Sequence, residues 1–245
     1  MKKNTVKKSP AYDYEKYTRN VMEAVKGFRA EPVKLSIRGN GKTGADIPAF
    51  NIPPLMTCPG GCKTCGKDGC YAVKNALRAG YEVAKSSVLK SWARNFAAAL
   101  YHLDILADLL DKYFSKKTAP RFFRIHSAGD FFSPAYMAMW ARIAKRHPET
   151  KFLAFTKSFA ILQQHDSTPG NIPFWQIPNF SMVVSAWPGM DIPADLTAHY
   201  RVAWMQDGTE DRVPADAMSC PGSCDDCGLC WELKNIGRDV CFLKH

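Results

Sequence analysis

No apolar run in the chain approaches the length of a membrane span, so no helix is expected to cross a bilayer. Internal repeats at solenoid period are absent too. A phosphate loop is also missing. The stretch "GNGK" at 39–42 lacks the longer glycine spacing that such a cradle needs before its Lys and Ser/Thr, and it reads as a tight turn. The opening "MKKNTVKKSP" has the charge of an export signal without an apolar stretch behind it, so a soluble cytosolic protein is expected. Acidic side chains are scarce early in the chain. Residues 1–157 hold 28 Lys and Arg against 12 Asp and Glu, whereas residues 158–245 hold 5 against 11. The basic N-terminal two-thirds suits either a nucleic-acid partner or a solvated surface with a Lys-rich tail.

Cysteine, by contrast, is plentiful and clustered. Eight of the nine fall in two short loops, "TCPGGCKTCGKDGCYA" at 57–72 and "SCPGSCDDCGLCW" at 219–231, which share the form C-P-G-x-C-x-x-C. Reducing cytosol makes structural disulfides rare, and cysteines buried as small apolar residues have no reason to crowd into glycine-bearing loops. Metal ligation is the expected role. The first loop offers Cys58, Cys62, Cys65 and Cys70, with Pro59, Gly60 and Gly61 bending the backbone so that the thiolates converge. Soft thiolates suit an Fe–S cluster or tetrahedral Zn2+. Zinc modules more often pair C-x2-C units across a longer spacer, so the compact run leans towards a cluster. The second loop supplies a complete set of four, Cys220, Cys224, Cys227 and Cys230, with Asp225 and Asp226 adding negative charge. Cys241, inside "VCFL", reads as a buried thiol, and His245 is a weaker candidate ligand.

The chain divides into a basic N-terminal tail and short helix (1–31), an α/β core with the first Cys loop at 58–70 (32–213), and a C-terminal Cys-rich metal-binding segment (214–245). The short helix runs from Tyr12 to Phe28, with Val21, Met22 and Val25 on one side. A strand is expected over Val33–Ile37. Residues 82–113 read as one long helix with Val88, Trp92, Phe96, Leu100, Leu103, Ala107 and Leu110 as its inner stripe and His102 beside it. Strands in "RFFRIHSAGDF", "KFLAFTKS", "FSMVVSAWPG" and "YRVAWM" alternate with helices, which predicts parallel pairing. The helix in "SPAYMAMWARIAKRHP" takes Ser133 as N-cap and Pro134 as its first residue.

Polar residues gather where these strands finish: His126, Ser127, Gly129 and Asp130, then Thr156, Lys157 and Ser158, then Ser185 and Trp187. Parallel strands bring such ends to one edge, where ligand sites form. The alternative is local: Asp130 and Ser133 as helix caps, Lys157 as a surface charge.

Cys58-x3-Cys62-x2-Cys65 resembles the cluster loop of radical S-adenosylmethionine enzymes. That resemblance implies a [4Fe–4S] cluster on three cysteines with one iron open, S-adenosylmethionine as cofactor, and an α/β fold of the partial (β/α) barrel type. "SAGDFFSP" is similar to the segment that holds the cofactor's amino group, which implies cofactor binding at Ser127, Gly129 and Asp130, with Lys157 and Ser185 lining the pocket. Thr64 departs from the aromatic usual before the third cysteine. Cys70 offers a fourth thiolate; if it binds the same centre, no iron stays open and the site is structural. More closely, the chain resembles the phage-type "gene product 88" family, through "LSIRGNGKTG", "TCPGGCKTCGKDGCYA", "RIHSAGDFFSPAYMAMWARIAKRHP", "FLAFTKS" and "CPGSCDDCGLCW…VCFLKH". This implies a phage protein acting in host cytoplasm. The second loop is similar to auxiliary clusters or zinc knuckles appended to enzyme cores. Two further functions stand beside the enzyme reading. One is a non-catalytic zinc protein that binds nucleic acid, with Tyr71, Tyr81 or Trp92 as stacking aromatics. The other is an inactive barrel descendant that keeps its clusters for stability.

Overall fold

The β-branched and aromatic runs do form strands, and the amphipathic segments between them fold back as helices. The computed structural model describes residues 13–40, 43–61, 65, 70, 72–73 and 80–243. Its strands are β1 (Ile37–Asn40), β2 (Gly44–Phe50), β3 (Phe122–Ile125), β4 (Lys151–Thr156), β5 (Phe180–Ala186), β6 (Arg201–Gln206), β7 (Met218–Ser219) and β8 (Val240–Leu243). They make one eight-stranded sheet in the order β1-β2-β3-β4-β5-β6-β8-β7. β1 pairs antiparallel with β2. Every other pair is parallel. The α/β class is therefore as expected. The sheet is open, with β1 and β7 at its edges, so it is not a closed barrel.

The helices are α1 (Tyr14–Phe28), α2 (Ser87–Tyr101), α3 (Leu103–Phe114), α4 (Pro134–Arg146), α5 (Phe159–Ser167) and α6 (Ala194–His199). Alternation along each strand separates two cores. Phe123, Phe152, Met182 and Val202 join the large cluster that the helices cover. Leu153, Val183, Ala203 and Val240 face the other way, where Trp231 and Leu233 of the C-terminal segment cover them. Burial on both faces explains why β4 and β5 read as unbroken apolar runs. α1 belongs to the helix-side core through Tyr17, Val21 and Val25, each 0% exposed. α4 starts as expected, with the Ser133 hydroxyl accepting from the Tyr136 N–H and Pro134 in the first turn.

Three expectations need correction. Residues 82–113 are not one helix: a 3-10 turn over Val83–Lys85 precedes α2, and His102 at φ −142° separates α2 from α3. The His102 ring nitrogen pairs with the Arg29 carbonyl at 2.7 Å. The inner stripe also drifts, because a four-residue step overshoots a 3.6-residue turn by about 40°. Val88 and Leu100, at the two ends of the part of the stripe on α2, are exposed, while Trp92 and Phe96 between them are buried. The first strand begins at Ile37 and not at Val33. The backbone of Ser36 instead bonds the Asn95 side chain, N–H to Oδ1 at 3.2 Å and carbonyl from Nδ2 at 2.9 Å. Cys241 sits in β8 only half-buried. No described helix is long and apolar enough to cross a membrane.

Candidate functional site

The polar residues converge where β2, β3 and β4 end. Asn51, directly after β2, accepts from the backbone N–H groups of Ser127 at 2.6 Å and Ala128 at 3.0 Å. The Ile52 N–H donates to the Ala128 carbonyl at 3.1 Å. These bonds pin the turn after β3 beside the chain leading to Cys58. Gly129, at φ +87°, lies under that chain: a Cβ there would meet Ile52 Cγ1 at 2.4 Å and Thr57 Oγ1 at 2.9 Å. No other residue type fits so close an approach.

Asp130 joins β3 to β4. Its Oδ1 accepts from the Phe131 N–H at 2.7 Å and the Thr156 hydroxyl at 2.7 Å, and its Oδ2 accepts from the Lys157 N–H at 2.8 Å. Burial raises its pKa, and these donors oppose the shift. The carboxylate is thus engaged inside the protein, and Ser133, not Asp130, caps α4.

The first Cys loop rests on the end of β4. A Cβ on Gly60 would lie 1.7 Å from the Lys157 carbonyl oxygen. One on Gly61 would be 3.4 Å from Cys65 Sγ, 3.5 Å from Cys58 Cβ and 3.6 Å from Lys157 Cδ. The Cys65 thiol donates to the Gly61 carbonyl at 2.9 Å. Cys58 and Cys65 are therefore brought together with Gly129, Asp130 and Lys157. The ammonium of Lys157 stands 5.6 Å from the Trp187 ring centroid. Ser158 is the N-cap of α5, so the positive end of that helix lies at the same spot. Ser127 is half-buried at the edge of this group, and Ser185, half-buried in β5, is one strand further. By alternation within β5, Ser185 shares the face of Val183.

Cys70 packs, half-buried, against the helix-side core. There the Tyr17 phenol is raised well above its ordinary pKa, first by burial and then by the nearby thiols of Cys70 and Cys58. It keeps its proton. Cys62, Thr64, Tyr71, Lys-rich residues 1–12 and His245 lie outside the described residues.

The second loop crosses the opposite face of the sheet. The Cys220 N–H donates to the Cys241 carbonyl at 2.9 Å. Cys224–Cys227 form one helical turn that ends at Gly228, φ +61°. The Cys230 carbonyl accepts from the Ser181 hydroxyl at 2.8 Å. Burial pushes the Cys230 thiol up to about 12; Arg124 opposes this, while Cys220, Cys224 and Cys227 add to it. The other three thiols of the loop are thus in electrostatic reach of Cys230. Even so, no three His, Cys, Asp or Glu side chains among the described residues converge to hold a metal ion. No disulfide joins any of the eight described cysteines.

Burial decides between the two readings of two candidate stacking aromatics. Tyr81 and Trp92, 4% and 7% exposed, belong to the core, as the helical stripe implied for Trp92, and are not placed to stack on bases. Four participants had no sequence signal. Asn51, Thr57 and Tyr17 act across chain crossings, and Arg124 stacks over Phe155 at 4.3 Å from the face that the second loop covers. A fifth, His126, lay among the strand-end residues, but its geometry was not legible. It is buried at φ +62°, with Nε2 2.8 Å from the Tyr136 hydroxyl. Burial, reinforced by Arg124, lowers its pKa to about 3.

A family profile described as "Gene product 88" matches residues 31–233, a range that contains both Cys loops. The chain is similar to the "Gene 88 protein" of Mycobacterium phage L5, 33% identical over 106 residues, covering 42% of this chain and 43% of that one. It is also similar to the "Gene 88 protein" of Mycobacterium phage D29, 37% identical over 107 residues with the same coverage of 42% and 43%. The aligned chain spans less than half the length of these curated relatives. No solved structure matches.

Proposed function

The chain belongs to the gene product 88 family, and from that premise we propose that it is an iron–sulfur protein whose first Cys loop carries a [4Fe–4S] cluster at the strand ends. The observation that carries this reading is the seating of Gly60 and Gly61 on Lys157. It holds Cys58 and Cys65 beside the stem of the Lys157 side chain and the positive end of α5, where a thiolate-bound, anionic centre is electrostatically favoured. The donor set fits, since thiolates are the ligands such clusters take. Cys62 completes the trio by spacing.

A radical-enzyme-like partial barrel is the finer form of the proposal. Its support is geometric. Strands β2, β3, β4, β5, β6 and β8 are parallel and lie side by side in chain order. In a flat sheet β7 and β2 would be six interstrand steps apart, about 29 Å. Only residues 220–223 separate β7 from the turn Cys224–Cys227, a reach of roughly 17 Å when extended. That turn packs against β2, as expected for a sheet curled around its C-terminal segment. A bound cluster with an open iron would supply one-electron reduction and, with S-adenosylmethionine, its reductive cleavage. The chain's own contribution is positional. Asp130 locks the ends of β3 and β4 together, Lys157 supplies positive charge beside the thiols, and Ser185 and Trp187 flank the same face. The second loop is read as a closed four-thiolate centre.

Purification without oxygen, followed by iron, sulfide and zinc analysis and electron paramagnetic resonance after reduction, tests this. Iron with acid-labile sulfide is expected. Zinc with no iron would end the cluster reading. A resonance unchanged by S-adenosylmethionine would end the enzymatic part alone.

A second reading, zinc binding with nucleic acid as partner, is favoured by one surface. Lys116, Lys117, Arg121, Arg142 and Lys145 are exposed around the amino ends of β3 and β4. The Lys151 N–H bonds the Arg121 carbonyl at 2.8 Å, and Arg146 reaches Asp111 at 3.6 Å, which draws the ends of α3 and α4 together.

A further inference from the structure

The run W-P-G-M over 187–190, directly after β5, has the form of a tight turn, with Pro188 second and Gly189 third at φ +75°. The Met190 N–H closes it on the Trp187 carbonyl at 2.9 Å. One side chain from the loop after β6 binds both ends of this turn. Arg212 Nη1 donates to the Met190 carbonyl at 2.7 Å, and Nη2 reaches the Trp187 carbonyl at 3.4 Å. Glu210 holds that guanidinium, its Oε1 accepting from Nε at 2.7 Å and its Oε2 from Nη2 at 2.6 Å. Gln206, the last residue of β6, ties down the Glu210 backbone, its Nε2 donating to the Glu210 carbonyl at 2.7 Å. The guanidinium also lies 5.4 Å from the centroid of the Trp204 ring on β6.

Glu210 is 6% exposed. A carboxylate buried against an arginine adds little stability over an apolar pair of the same size; its contribution is a defined arrangement. The arrangement defined here is the turn that carries Trp187. The Lys157 ammonium stands 5.6 Å from the Trp187 ring centroid, within range of a cation–π attraction. The stem of the same lysine passes 3.6 Å from where a Gly61 Cβ would lie, in the first Cys loop. A continuous line of contacts therefore runs from the loop after β6, through the turn after β5, to the end of β4 and the first Cys loop.

We propose that Arg212 is a positioning residue of the strand-end site. With Glu210 it fixes the Trp187–Met190 turn, and through the Trp187 ring it sets where the Lys157 ammonium stands beside the first Cys loop. This rests on reading the strand ends as the functional site; the placement of Lys157 itself does not depend on which metal the loop takes.

The first test needs no metal. Reductive methylation with isotope-labelled methyl groups keeps every lysine charged, and the Lys157 resonance is assigned by its loss in Lys157→Arg. Over the ring face it should lie upfield of its position in Trp187→Leu. Arg212→Met alone would strand the buried Glu210 charge, so Glu210→Met and Arg212→Met are made together, a pair expected to fold. In that paired variant the Lys157 resonance should move to its Trp187→Leu position, and adding Trp187→Leu should move it no further. A resonance left at the wild-type position, with only the melting temperature lowered, overturns the proposal. In protein loaded with iron and sulfide, the midpoint potential should shift in the same direction in the paired variant and in Trp187→Leu. Shifts in neither, or of opposite sign, also overturn it. Failure of the wild type to take up iron strikes the cluster reading instead, and the lysine resonance still decides the role of Arg212.

Discussion

Gly60 and Gly27 show how differently one added methyl can act. At Gly60 a Cβ would sit 1.7 Å from the Lys157 carbonyl, whereas at Gly27, near the end of α1, nothing lies within 4 Å. Gly60→Ala is expected to displace the first Cys loop and abolish metal uptake there. Gly27→Ala should stabilise the protein by about 0.5–1 kcal/mol through helix propensity. Metal analysis and urea denaturation read the two. Asp130→Asn keeps the shape but offers an amide where three donors need an acceptor, so a loss of about 2–3 kcal/mol is expected by denaturation. His126 gives a pH test. Its folded pKa is depressed to about 3, against an ordinary value near 6.5. Between those values the unfolded chain takes up a proton that the folded chain refuses, so stability falls as pH drops from about 6.5 towards 3. His126→Asn, which tolerates the positive φ, should flatten that slope between pH 7.5 and 5; an unchanged slope would reject His126 as the cause.

At the scale of elements, α4 was fully legible because its signals are local: cap, proline and apolar stripe all lie within a few residues. Ser133→Ala should cost about 1 kcal/mol, measured by thermal or urea unfolding. The break between α2 and α3 was not legible, since it depends on a His102 contact with Arg29 that lies far away in sequence. The second loop offers a discriminating substitution. Replacing Cys224 and Cys227 together by Ala removes both thiols of one helical turn, and it is expected to remove one of two metal centres while leaving the first loop loaded. Loss of both centres would mean that the loops share one.

For the whole molecule, the C-terminal segment closes the sheet face that α1–α6 leave uncovered. Trp231, 4% exposed, seals it and donates through Nε1 to the Phe123 carbonyl at 3.3 Å. Trp231→Ala should cost about 3–5 kcal/mol in denaturant unfolding. The charge asymmetry makes its own forecast. If the Lys116–Lys145 surface binds single-stranded DNA, log affinity should fall linearly with log salt, by about 0.7 per phosphate neutralised. Replacing Lys116, Lys117 and Lys145 by Ala should then shallow that slope.

Periodicity, caps and cysteine spacing depend on residues near one another in the chain, and so the sequence alone specified the α/β alternation, the start of α4, the parallel strands and the two thiol-rich loops. Where the first Cys loop rests on the end of β4, and why Asp130 turns inward, depend on contacts between segments tens of residues apart. Only the packed chain decides those, because it alone brings the end of β4 under Gly60 and Ile52 over Gly129.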